Sequence, residues 1–204
     1  METTWRPELY RAYLRLLARS LLRGAGPARD KVDASDVAQE VLLQAHQALD
    51  QFRGETEEEL MGWLRAILAS KVADVVRHFG RKKRDAALER RYLETLNESS
   101  VRLARIVPSD RTSPTQHLAR KDDALRLAEA LSTLPDEQRE AIELHHVAGL
   151  SVAECAEALG RSRASVDRRC DGGNGGKICL ICVTDRLASA ASNRARPLAP
   201  SATL

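Results

Sequence analysis

The stretch from Leu134 to Arg169 constrains this chain most, because helix starts and glycine stops follow one another there in close succession. Pro135 opens a run, Asp136 to Ala148, in which Ala141, Ile142 and Leu144 to Val147 form an apolar face. Gly149 then supplies the residue that tolerates a left-handed helix end. Ser151 precedes Glu154 by three, a capping box ahead of Val152, Cys155, Ala156 and Leu159, so a second short helix is expected to end at Gly160. Ser162 caps a third helix from Arg163, whose first turns carry Arg163, Ser165, Arg168 and Arg169 and little that could enter a core. An exposed basic helix calls for a polyanion.

The bare pattern fits an ordinary helical hairpin as well as a helix-turn-helix whose last helix enters the major groove of DNA. The words LSTLPDEQREAIELHHVAGLSVAECAEALGRSRASVDRR, from Leu131 to Arg169, go further. They resemble the C-terminal, minus-thirty-five-binding domain of extracytoplasmic-function sigma factors. That resemblance implies promoter contacts from Arg161, Ser162, Arg163, Ser165, Arg168 and Arg169.

A second match lies upstream, in the expected order. DASDVAQEVLLQAHQALDQFRGE is similar to the sigma-factor segment that docks on the polymerase clamp. On that likeness Asp36, Gln39, Glu40, Leu43, Gln44, Asp50, Phe52 and Arg53 would face core RNA polymerase, although a solvated helix flank has the same polarity. An interface of a few apolar anchors ringed by charges is compatible with those residue types. MGWLRAILASKVADVVRHFGRKKR resembles the segment that recognises and melts the minus-ten element. Trp63, Leu64, Ile67, Asp74 and Arg77 match the family pattern. Its asparagine is Ser70 here and its alanine Leu68; a serine hydroxyl can donate and accept, but it lacks the bidentate amide geometry used on adenine. The implied minus-ten set is Trp63, Ser70, Lys71, Asp74, Arg77, Arg81, Lys82 and Arg84. Arg77, Arg81, Lys82, Lys83 and Arg84 put five positive charges into eight residues, a density that suits phosphate contacts and equally a solvated helix end.

The hydrophobic pattern predicts an all-α chain of two small helical domains joined by a linker, the second a helix-turn-helix domain. Helices are expected over about Pro7 to Arg23, Ala34 to Leu49, Leu60 to Phe79, Asp85 to Leu96 and Thr115 to Ser132, the last packing under the helix-turn-helix. Gly54 to Glu59 reads as an acidic loop. Ile106 to Pro114, with two prolines and three hydroxyl residues, reads as linker. The domains are therefore 1–84 for polymerase and the minus-ten element, 85–117 as a linker with a short helix, 118–170 for the minus-thirty-five element, and 171–204 as a tail. In that tail Asp171 to Gly176 holds four glycines in six residues, and each costs about 1 kcal/mol in a helix interior. The third helix must stop there, and the Ala/Ser/Pro-rich end is expected to be disordered, foreign to the family and consistent with a shifted reading frame.

Composition excludes several functions. Seven aromatic residues in 204 are too few for an extensive base-stacking platform. With a formal charge of +3, any preference for nucleic acid must come from where the positive charges sit. No apolar run approaches the roughly 20 residues that cross a bilayer, and the N-terminus lacks a signal-peptide segment, so membrane insertion is not expected and a cytoplasmic location is. Catalysis has no candidate: there is no phosphate-binding glycine loop and no nucleophile with an oriented base. His145 and His146 read as surface or packing histidines. Cys170, Cys179 and Cys182 make an incomplete ligand set, so neither metal nor cofactor is expected. The resulting reading is a bacterial, non-enzymatic sigma factor with core RNA polymerase, double-stranded promoter DNA and the melted minus-ten strand as partners, and with an anti-sigma factor among the partners the family implies. Its rivals are a polymerase-independent helix-turn-helix regulator and a zinc- or redox-responsive regulator.

Overall fold

The computed structural model describes residues 6–25, 31–80, 86–106 and 116–171, with backbone alone at 106, 116–123 and 168–171. Among the described residues it is all-helical, in the order α1 Pro7–Arg23, α2 Ala34–Gln47, α3 Glu57–Gly80, α4 Ala86–Ile106, α5 Gln116–Ser132, α6 Asp136–Ile142, α7 Val152–Leu159 and α8 Arg163–Asp171. The expected glycine-rich tail, 172–204, lies outside them.

Local signals explain the boundaries. Pro7 starts α1 at the position where its missing N–H costs nothing. The Asp33 carboxylate accepts from the Ser35 backbone N–H and caps α2; these hydrogen bonds hold its pKa below the usual value. Helix α3 begins three residues earlier than the apolar stripe indicated. Thr56 Oγ1 accepts from Glu59 N at 3.2 Å, and Glu59 Oε2 accepts from Thr56 N at 2.9 Å, so the acidic stretch is not all loop. Glu57 to Glu59 form a first turn, where carboxylates favour the positive end of the helix dipole. Helix α2 stops at Gln47, and Leu49–Gln51 form a separate 3-10 turn before Phe52.

The main core brings α1 to α5 together. Tyr13, Leu14 and Leu17 of α1, Val41 of α2, Leu64, Leu68 and Val72 of α3, Leu96 and Leu103 of α4, and Leu127 and Leu131 of α5 are buried in one cluster. Each such side chain contributes about 1.5–3 kcal/mol when fully removed from water. Two expectations change here. The helix expected to end near Leu96 continues to Ile106 and is part of the core rather than a short linker element. Its polar residues obscured it: Ser99 is buried, and the half-buried Ser100 hydroxyl accepts from Tyr13 OH at 3.0 Å, so hydroxyl groups occupy inward positions. Helix α5, expected beneath the helix-turn-helix, packs instead chiefly on α1 and α4.

Candidate nucleic-acid and polymerase interface

Helices α6 to α8 build a small core of their own from Ala141, Leu144, Cys155, Ala156 and Val166, closed by Leu150, Val152 and Leu159. Burial pushes the Cys155 thiol up, away from the reactive thiolate. The α6 helix is continued by a π turn, Glu143–Val147, which ends at Gly149 with φ of 79°. Leu150 N donates to Leu144 O at 3.0 Å, and His145 Nδ1 lies 2.7 Å from Leu150 O, so the turn is tied at both edges. Ser151 and Glu154 form the full capping box: Ser151 Oγ accepts from Glu154 N at 3.3 Å, and Glu154 Oε2 accepts from Ser151 N at 2.8 Å. The Ser151 hydroxyl, which donates to Glu154 Oε2 at 2.6 Å, and then the Ser151 N–H favour the ionised carboxylate and lower its pKa. Gly160 closes α7 at φ 59°.

The start of α8 points outward. Arg161, Ser162 and Arg163 are exposed and Ser165 is half-buried, while Val166 anchors the helix in the small core. Ser162 Oγ accepts from Ser165 N at 3.3 Å and caps the helix. The Arg161 guanidinium donates to Glu137 at 3.0 Å, an exposed pair that a phosphate could replace at little cost. Arg168 and Arg169 lie on α8, but their side chains fall outside the described residues.

On α2, Asp36, Gln39, Glu40, Leu43 and Gln44 all reach solvent, and their spacing sets them on one face. Leu43 is 58% exposed, a large apolar side chain in a polar surround. A groove beside it is lined by Glu8 and Arg11 of α1 and by Asp36, Gln39, Leu42 and His46 of α2. Asp50 and Arg53 are exposed just beyond the helix, and Arg53 donates to Asp50 O at 3.0 Å.

Two contacts cross between the segments that sequence had assigned to separate partners. The half-buried rings of Phe52 and Trp63 lie 5.2 Å apart at 33°, both against the main core. Lys71 reaches Glu40 at 3.5 Å. Ser70 is half-buried beside Lys71 on α3, Asp74 is exposed, and Arg77 is mostly covered and paired with Asp74. Arg77 Nη1 is buried and has no hydrogen-bond partner among the described residues. Arg81, Lys82 and Arg84, with Lys83, lie outside the described residues. A link that sequence reasoning missed runs through Tyr13, whose hydroxyl accepts from Arg65 at 3.1 Å and donates to Ser100, tying α3, α1 and α4 together. Only Arg65 and Asn97, polar residues on otherwise amphipathic helices, hinted at it.

Among the described residues no group of acidic, histidine or cysteine side chains is placed to hold a metal, and no helix is long and apolar enough to cross a membrane. Cys179 and Cys182 lie outside those residues, as does the Cys170 side chain.

Two family models match: Sigma-70 region 2 over residues 9–83 and Sigma-70, region 4 over residues 124–169. The RNA polymerase sigma factor CnrH of Cupriavidus metallidurans is 31% identical over 167 residues, covering 78% of this chain and 81% of that protein. The ECF RNA polymerase sigma factor SigD of Mycobacterium tuberculosis is 36% identical over 138 residues, 68% of this chain and 58% of SigD. SigM of the same species is 29% identical over 143 residues, 70% of this chain and 61% of SigM. The chain thus spans under two thirds of SigD and SigM. No solved structure matches.

Proposed function

The chain belongs to the extracytoplasmic-function group of the sigma-70 family, and on that footing we propose that it directs bacterial core RNA polymerase to specific promoters and helps open them. The observation that carries this reading is the presence, in order, of an exposed interface-like face on α2 and an exposed, capped, basic start of α8 on a helix-turn-helix. Residues 1–84 would hold polymerase and the minus-ten element and 118–170 the minus-thirty-five element, while α4, between them in sequence, belongs to the main core.

In this reading Leu43 is the apolar anchor of the polymerase contact, with Asp36, Gln39, Glu40 and Gln44 as its polar rim. Phe52 and Trp63, sharing one stack, carry polymerase docking directly into the helix that meets the minus-ten strand. Opening the duplex costs a few kcal/mol per unstacked step, offset by phosphate contacts and capture of the exposed bases. The protein supplies binding and orientation rather than chemistry, and works in the cytoplasm.

Reversing the charge of Asp36 and Glu40 together tests the docking face. Both side chains are exposed, and the ion pair that the change breaks, Glu40 with Lys71, is a surface pair worth about 0–1 kcal/mol. Co-elution with core polymerase should weaken while the circular dichroism spectrum is kept. Unchanged co-elution would reject the face.

A further inference from the structure

A carboxylate with no part in the contacts proposed so far touches a member of the minus-thirty-five set. Glu137, in the first turn of α6, accepts at 3.0 Å from Nη2 of Arg161, 24 residues further along the chain. The two side chains remain 59% and 47% exposed, so their pairing does little to hold the module together. That task falls to the small core of Ala141, Leu144, Cys155, Ala156 and Val166. What the pair fixes is the arginine itself. The backbone of Arg161 is already set: Gly160 is left-handed, Arg161 N donates to Ala156 O at 2.9 Å to close α7 in a Schellman motif, and Ser162 caps α8 on the other side. Glu137 then fixes the far end of the side chain. Arg163, two residues on and also exposed, has no hydrogen bond to its guanidinium among the described residues.

We propose that Glu137 is a positioning residue, which holds the Arg161 guanidinium in front of α8 so that Arg161 reads one guanine of the minus-thirty-five element. The proposal rests on the sigma-factor reading, which supplies that element. A guanidinium carries five N–H donors in a planar fork, and Glu137 engages Nη2; among the described residues Nε and Nη1 carry no hydrogen bond. The fork keeps a free edge while the carboxylate sets its plane. Guanine presents O6 and N7 side by side in the major groove, and an arginine edge meets both acceptors at once. Side chains at the start of a recognition helix are the ones that reach base edges. Glu137 also discriminates between ligands. A phosphate reaching Arg161 meets the like charge of the carboxylate and has to displace it, which removes the brace, whereas a neutral guanine edge leaves the pair in place. An arginine ordered before contact also loses less freedom on binding.

Selection by the holoenzyme, this chain with core polymerase, from promoter fragments randomised over the minus-thirty-five element tests the assignment. The wild type should favour guanine at one position. Arg161→Ala should lose that preference, about five- to a hundredfold, with the other positions unchanged. Glu137→Ala should weaken it at the same position, and Glu137→Gln, which keeps an acceptor for Nη2, should restore most of it. Both positions are exposed, so helicity and melting temperature should stay at wild type. A merely structural Glu137 would weaken all sequences alike. An Arg161→Ala variant that loses affinity equally for every sequence, with a salt slope flatter by about one unit, would make Arg161 a phosphate contact and overturn the proposal. Wild-type base preference in Glu137→Ala would overturn it as well. Failure of the wild-type chain to bind core polymerase would instead overturn the sigma-factor reading, and the same selection by the free chain on duplex DNA then decides the guanine preference.

Discussion

The rings of Phe52 and Trp63 meet 5.2 Å apart, and Gly54 makes that meeting sterically permissible. A Cβ at position 54 would sit 2.3 Å from Phe52 Cζ and 2.9 Å from Glu59 Cβ, so the aromatic ring occupies the space that any larger residue would take. Gly54→Ala should push Phe52 off Trp63 at a cost of about 1–3 kcal/mol, the range for overpacking. Near-ultraviolet circular dichroism and thermal melting read this directly; an unchanged aromatic signal would mean that the ring moves aside without loss.

The two left-handed glycines should respond differently to alanine. Gly160 has φ of 59° and open space around its Cβ position, so Gly160→Ala should cost about 1–2 kcal/mol, the conformational penalty alone. Gly149 has φ of 79°, and a Cβ there would stand 2.9 Å from Arg102 Cζ. Gly149→Ala should therefore cost more, because it also disturbs the hydrogen bonds that Arg102 donates to the carbonyls of Val147 and Ala148. Equal losses in urea denaturation would contradict the role given to Arg102.

Legibility in the sequence followed the range of the interactions. The helix-turn-helix was readable because Ser151, Glu154, Gly149 and Gly160 act on their own turns, and each does so here. The full length of α4 was hidden because Ser99 is buried and Ser100 turns toward Tyr13 of α1, breaking the apolar period that marks a helix. The burial of Glu143 depends on Arg19 and Arg23, distant residues that no local pattern connects to it. The π turn is likewise absent from the sequence pattern, since Arg102 and the α1 arginines hold it from outside. The pairing of Phe52 with Trp63 was missed for a related reason: the family resemblance assigned them to different partners.

The buried carboxyl gives the fold a pH signature with a definite sign. Glu143 titrates above its usual 4.5, chiefly because burial disfavours its charge, despite Arg19, Arg23 and Arg139 facing it. Between the unfolded and folded pKa the native form holds more protons, so this group's contribution is fully present below the unfolded value and declines as pH rises through the folded one. Wild-type stability measured against Glu143→Gln should fall across that window in urea titrations. A relative rise over the same range would mean that the three arginines outweigh burial.

Exposed cations at the start of α8 should show in the salt dependence of promoter binding. Removing Arg163 in the holoenzyme should flatten the slope of log affinity against log salt by about one unit, as expected for one lost phosphate contact. Arg163 is exposed at the first position of α8, so its loss should leave the melting temperature nearly unchanged. An unaltered slope would remove Arg163 from the DNA-contacting set.

Promoter-dependent transcription with purified core RNA polymerase tests the central claim most directly. Core polymerase and this chain, incubated with a pool of bacterial promoter fragments, should together yield transcripts from a restricted set of start sites that neither component produces alone. Selective binding of the chain to duplex DNA without polymerase, with no transcript when the two are combined, would contradict the sigma-factor reading and favour a self-sufficient helix-turn-helix regulator.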